Sequence, residues 1–115
     1  MTLEQLRHFC LGLPGVTEDV KWEHDLCFCV GDKMFCVTGF DVEAPVSLKA
    51  SLQDFDDLCE QQGIIPAPYL ARAKWICIKE RNAITPAQWK HLIETSYELI
   101  AAGLTKKRRK ELGIE

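Results

Sequence analysis

Between residues 63 and 78 the chain reads Gly63-Ile64-Ile65-Pro66-Ala67-Pro68-Tyr69-Leu70-Ala71-Arg72-Ala73-Lys74-Trp75-Ile76-Cys77-Ile78. Pro66 and Pro68 exclude a regular helix across their own positions, because each lacks an amide donor and restricts the residue before it. The apolar run that opens at Trp75 has the length and composition of a buried strand. A rigid, irregular segment carrying an aromatic, Tyr69, and two cations, Arg72 and Lys74, therefore leads straight into a sheet. The fold has to hold that segment against a strand.

The elements on either side carry clear punctuation. Thr2 caps a first helix, with Gln5 in the capping-box position. Leu3, Leu6, Phe9, Cys10 and Leu13 form its apolar stripe, and Leu13-Pro14-Gly15 stops it. Residues 21–22 read as a short strand. Residues 26–30 and 33–40 read as a hairpin around Gly31-Asp32, and 46–50 as a further strand with alternating faces. Ser51 is expected to cap a second helix with Leu52, Phe55, Leu58 and Cys59 turned inward, ended by Gly63. A strand over 75–80 follows. Thr85-Pro86-Ala87-Gln88 then starts a helix whose face is Trp89, Leu92, Ile93, Ser96, Tyr97 and Ile100. Residues 105–112 read as a last short helix or a frayed end. The order predicts one α+β domain over residues 1–115, a mostly antiparallel sheet with helices packed on one face.

At 115 residues and 47% apolar, the chain is large enough for one core. No apolar run approaches the ~20 residues that span a bilayer. The first residues lack the basic start and apolar core of a signal peptide. The expectation is a soluble, cytoplasmic, monomeric protein. Its six cysteines sit inside apolar patterns and are expected as reduced core thiols. Cys27-x-Cys29 with His24 is a local cluster, but without a CxxC or a second pair it predicts no metal site. Residues 1–105 carry 9 Lys and Arg against 15 Asp and Glu, and residues 106–115 carry 5 against 2. The body is acidic, which works against nonspecific attraction to nucleic acid, and the end is a short basic block.

Seven stretches together resemble a known family. They are residues 13–19 (LPGVTED), 22–25 (WEHD), 31–35 (GDKMF), 46–49 (VSLK), 63–70 (GIIPAPYL), Lys74-Trp75 and 96–99 (SYEL). In this order, over about residues 6–104, they resemble the MmcQ/YjbR family of small bacterial proteins. The resemblance implies a CyaY-like α+β fold and kinship with the double-wing DNA-binding domain of the phage activator MotA, and through that kinship DNA binding. Glu23 departs from the glycine expected between Trp22 and His24, the residue type that would favour a tight turn there. Arg72 and Ala73 lie in a stretch where variation is expected.

Lys49, Arg72, Lys74, Lys79 and Arg81 are the candidate phosphate contacts. They form one set if Lys49 and Lys79 leave the same sheet face. Tyr69 or Trp75 then stacks on a base. The plainer reading is a solvated face with core aromatics. Lys106, Lys107, Arg108, Arg109 and Lys110 suit a phosphate backbone or an acidic partner, or else form a solubilising helix end. His24 beside Glu23 and Asp25, with Glu18 and Asp19 nearby, lacks a nucleophile or a catalytic motif, so no catalytic residue and no cofactor is expected. The working expectation is a non-enzymatic DNA-binding or regulatory accessory protein whose partner is double-stranded DNA. The alternative is a small protein- or ligand-binding module framed by Tyr69, Trp75 and the proline segment. A third option is a metal-handling protein using hard oxygen ligands from the acidic loop.

Overall fold

The computed structural model describes residues 1–114. Helix α1 (Leu3–Leu11) is followed by strands β1 (Val16–Lys21), β2 (Asp25–Val30), β3 (Lys33–Gly39) and β4 (Val46–Lys49). Helix α2 (Phe55–Glu60), strand β5 (Ile64–Pro66), a single 3-10 turn (Ala71–Ala73), β6 (Trp75–Ile78), α3 (Pro86–Ala102) and α4 (Lys106–Glu111) complete the chain. The six strands form one sheet in the order β1-β2-β3-β4-β6-β5, with every pair antiparallel. No helix among the described residues is long and apolar enough to cross a membrane.

Register assigns each residue to a face. Leu26, Phe28, Val30, Leu48, Ile76 and Ile78 face the helices and join Leu6, Trp89, Leu92 and Ile93 in the main core. Each large side chain there removes enough apolar surface to contribute about 1.5–3 kcal/mol. Asp19, Cys27, Val37, Ser47, Cys77 and Ile65 lie side by side on the opposite face. Between Phe28 and Cys29 the register slips and Phe35 bulges out of the ladder. Its freed carbonyl accepts a hydrogen bond from Ser96 Oγ at 2.6 Å, while Ser96 Oγ accepts from Lys49 N at 3.0 Å. A buried serine on α3 thus satisfies the backbone where two strands end their pairing. Tyr97, edge-on to Phe35 at 5.5 Å between centroids, donates to Pro14 O and ties α3 to the loop after α1.

Helix starts follow the expected chemistry with one change. Thr2 and Gln5 make the full capping box. Thr85 accepts from Gln88 N, but the Gln88 side chain reaches Gln61 instead of closing the box.

Several boundaries differ from the sequence-based expectation. The first strand is Val16–Lys21, and Trp22 lies in the turn after it. Acidic residues hide this edge strand: Glu18 sits on the helix face, where Arg7 holds it at 2.6 Å and the guanidinium lowers the carboxyl pKa. The turn at 22–24 forms without glycine by putting Trp22 (φ 53°) and Glu23 (φ 65°) in the left-handed region, a strain of order 1–3 kcal/mol per residue. Helix α2 starts at Phe55, not after Ser51. Ser51 Oγ still accepts from Asp54 N, but the intervening turn leaves Leu52 76% exposed instead of on the inner stripe. The proline segment is not simply a crossing. Ile64–Pro66 pairs with β6 as an edge strand, where a proline is tolerated. Strand β6 itself stops at Ile78.

Helix α4 is docked, not frayed. Gly31 (φ 58°) permits the approach: a Cβ there would come within 2.9 Å of Leu104. Arg108 reaches Asp32 at 3.5 Å, and Leu112 and Ile114 pack against the core.

Candidate nucleic-acid interface

Register also decides which cations share an end of the sheet. Strand β2 turns into β3 at Gly31-Asp32, β4 ends at Lys49, and β6 begins at Trp75, opposite Lys49. These three points lie at one end. Lys49 Nζ donates to Ala73 O at 2.5 Å, and Ala50 N donates to Lys74 O at 2.8 Å. Lys74 takes a left-handed backbone (φ 65°) as the cap of the 3-10 turn, with its ammonium 4.9 Å from the Phe55 ring centroid. Arg72, on the turn itself, is exposed. The proline segment is thus held so that Lys49, Arg72 and Lys74 lie at one end of the sheet, the Lys49 ammonium on the 3-10 turn and the Lys74 ammonium over Phe55.

The C-terminal cations reach the same end because α4 is anchored at the β2–β3 turn. Lys106, Lys107 and Lys110 are exposed, and Arg108 is shared between Asp32 and Glu111 (3.8 Å). Arg109 is half-buried and has partners of its own. Lys33, exposed at the start of β3, belongs to this end as well and was missed by sequence reasoning. Only its place one residue past the Gly31-Asp32 turn signals it. Strand β2 and strand β6 are three inter-strand spacings apart, about 14 Å, so both arms of this basic end fall within one ~34 Å turn of duplex DNA. On the α2 side the patch is bounded by Asp54, Asp56 and Asp57, all exposed.

Two expected contacts are elsewhere. Lys49 and Lys79 have the same face parity, but Lys79 follows the far end of β6, beside Glu80 and Glu43. Arg81 points inward and is 9% exposed. Its Nε donates to Ala44 O and its Nη2 to Thr38 Oγ1, each at 3.2 Å, while its own carbonyl accepts from Trp89 Nε1 at 2.9 Å. Arg81 is a structural cation, not a member of the basic face.

The two aromatics separate equally clearly. Tyr69 is fully exposed with a left-handed backbone (φ 65°), next to the cation cluster. Trp75 is 5% exposed and packs with Ala67 and Cys77 against Met34, Val37 and Leu70. Its ring is not available to stack on a base or to frame an open pocket.

The acidic loop does not gather ligands. Alternation sends Glu18 and Asp19 to opposite faces, and among the described residues no group of three or more His, Cys, Asp or Glu is placed to hold a metal ion. Desolvation pushes the Cys27 thiol up to about 11, with neighbouring Cys29 adding to the shift, so it stays protonated at neutral pH and is a poor ligand or nucleophile.

A family model, YjbR, matches residues 11–99. The chain is similar in structure to the Deinococcus radiodurans protein DR2400, which carries a DUF419 domain: 28% identity, TM-score 0.89, covering 99% of this chain and 89% of that one. It shares its fold with a protein from Pseudomonas syringae at 20% identity and TM-score 0.74, over 87% of this chain and 99% of that one. No curated protein matches.

Proposed function

The chain belongs to the YjbR family, and for this member we propose a non-enzymatic accessory role, as a cytoplasmic monomer, in which the basic end of the sheet binds the phosphate backbone of double-stranded DNA. The observation that carries this reading is the convergence of Lys49, Arg72 and Lys74 with the cations of α4 at one sheet end, beside the exposed ring of Tyr69. Residues 1–105 carry more Asp and Glu than Lys and Arg, so the basic end is the favoured point of attraction and orients the protein on the duplex. Phosphate contacts of this kind set position and carry no base specificity.

Anisotropy of a labelled random-sequence duplex, titrated at about 50 and 200 mM salt, tests the reading. Four phosphate contacts give a log–log salt slope of about −3.6, an affinity loss of roughly 100-fold across that range. Salt-independent binding, or none at the lower salt, overturns it.

Tyr69→Ala separates a functional ring from a structural one. With the ring fully exposed, the urea midpoint should correspond to a stability change within about 0.5 kcal/mol. If the ring stacks on an unpaired base, affinity for a single-stranded oligonucleotide falls by about 1–3 kcal/mol. The exposure of Tyr69, next to Pro68 in the chain, also favours a second reading, a partner protein held at this corner. Binding of that kind is nearly independent of salt.

A further inference from the structure

At the other end of the sheet Arg81 is a buried cation with no counter-charge. No described carboxylate lies within ion-pair range of it, and its Nη1 has no hydrogen-bond partner and is shielded from water. Guanidinium stays protonated, and a buried charge without a counter-charge is strongly disfavoured. Burial accordingly pulls its pKa below the ordinary arginine value. Arg81 is also part of the wall of a cavity of about 490 Å³, within the size range of small-molecule sites. Lys79, Gln5 and Asn82 line the same cavity, adding a second cation and two side-chain amides that can donate. Glu43 and Glu80 also line it, and neither is paired to Arg81.

We propose that this cavity binds a small organic anion, a phosphate ester or carboxylate that also bears hydroxyl or amino groups. The anionic end meets the Lys79 ammonium and the amides of Gln5 and Asn82, and is drawn by the uncompensated charge of Arg81 behind the cavity wall. The donor groups of the ligand face Glu43 and Glu80. The mixed lining selects for a ligand with both kinds of group over a bare polyanion, and the acidic turns around it, with Glu23, Asp25 and Asp41, disfavour a nucleic-acid strand at this end.

Thermal unfolding at constant ionic strength tests this, with glycerol 3-phosphate as the phosphate-ester probe, malate as the hydroxy-acid probe and sodium chloride as reference. At least one probe is expected to raise Tm in a saturable way. Lys79→Ala is expected to weaken its apparent affinity about tenfold, the loss of one charge-assisted hydrogen bond, without changing Tm in the absence of probe. Arg81→Gln removes a buried structural group and is expected to lower Tm by itself, so Lys79→Ala is the deciding variant. The double variant Arg72→Glu/Lys74→Glu should keep the full response, which separates this pocket from the basic end whether or not DNA binds there. No shift with either probe, or a shift lost in the double variant and retained in Lys79→Ala, overturns the proposal.

Discussion

Trp89→Ala is expected to destabilise the fold by roughly 3–5 kcal/mol, measured by urea unfolding with far-UV circular dichroism. Trp89 is 1% exposed and sits in the main core. A domain of this length has about 6–17 kcal/mol of stability in total, so the variant loses a large part of it. Two losses add. The indole volume leaves a cavity, and the Arg81 carbonyl loses the Nε1–H donor at 2.9 Å. Trp89→Phe separates them, because most of the volume stays and the donor goes. It should cost about 1–3 kcal/mol, the range for a buried acceptor left unpaired. Circular dichroism is the right probe because Trp22 and Trp75 would mix their fluorescence with the signal of interest. A loss below about 1 kcal/mol for Trp89→Ala would mean that the ring does not anchor α3 on the sheet.

That α3 would anchor the fold could be read from the chain. Thr85-Pro86 marks its start, and the 3.6-residue stripe from Trp89 to Tyr97 is the set that the structure buries. The hairpin at Gly31-Asp32 was equally legible, because both residues take the positive φ that its turn requires. What escaped were elements whose stability comes from tertiary partners. Strand β1 reads as polar because Glu18, on its inward face, is neutralised by Arg7, eleven residues away. Strand β5 is three residues long and exists by pairing with β6. Leu52 fits a helical stripe and is nevertheless exposed, because the chain leaves β4 by a turn before α2 begins.

The candidate site was legible as a set of residue types and not as a place. Parity along a strand says which face Lys79 takes but not which end. Four residues beyond Trp75 amount to about 13 Å of extended chain, enough to carry it out of the cluster. Arg81 could not be separated from the other cations, because its partners Thr38 and Ala44 come from the far side of the β3–β4 connection. Nor did the basic block at 106–110 reveal that it docks. The contacts that hold it, Leu104 on Gly31 and Arg108 on Asp32, span more than seventy residues.

Because those contacts bring two charge clusters to one end, the second large effect is expected from Arg72→Glu/Lys74→Glu. If both residues meet phosphates, the double variant reduces the magnitude of the salt slope by about 2, one for each contact. Near 0.1 M salt duplex affinity falls by roughly 100-fold, since each released counterion contributes about 0.9 of a decade per decade of salt. Reversal also places two carboxylates beside Asp54, Asp56 and Asp57, which extends the acidic surface across the patch and adds repulsion. The fold should tolerate it. Arg72 is exposed, and what Lys74 gives the structure is mainly its backbone, through the carbonyl that accepts from Ala50 N. The lost contact between the Lys74 ammonium and Phe55 accounts for about 0.5–1 kcal/mol at such a site. Unchanged urea unfolding within that margin, together with the loss of affinity, assigns the effect to charge. Reversing Lys106 and Lys107 instead should reproduce the change in slope from the other arm of the patch. If both double variants bind the duplex as the parent does, the basic end is a solvated surface and the DNA reading fails.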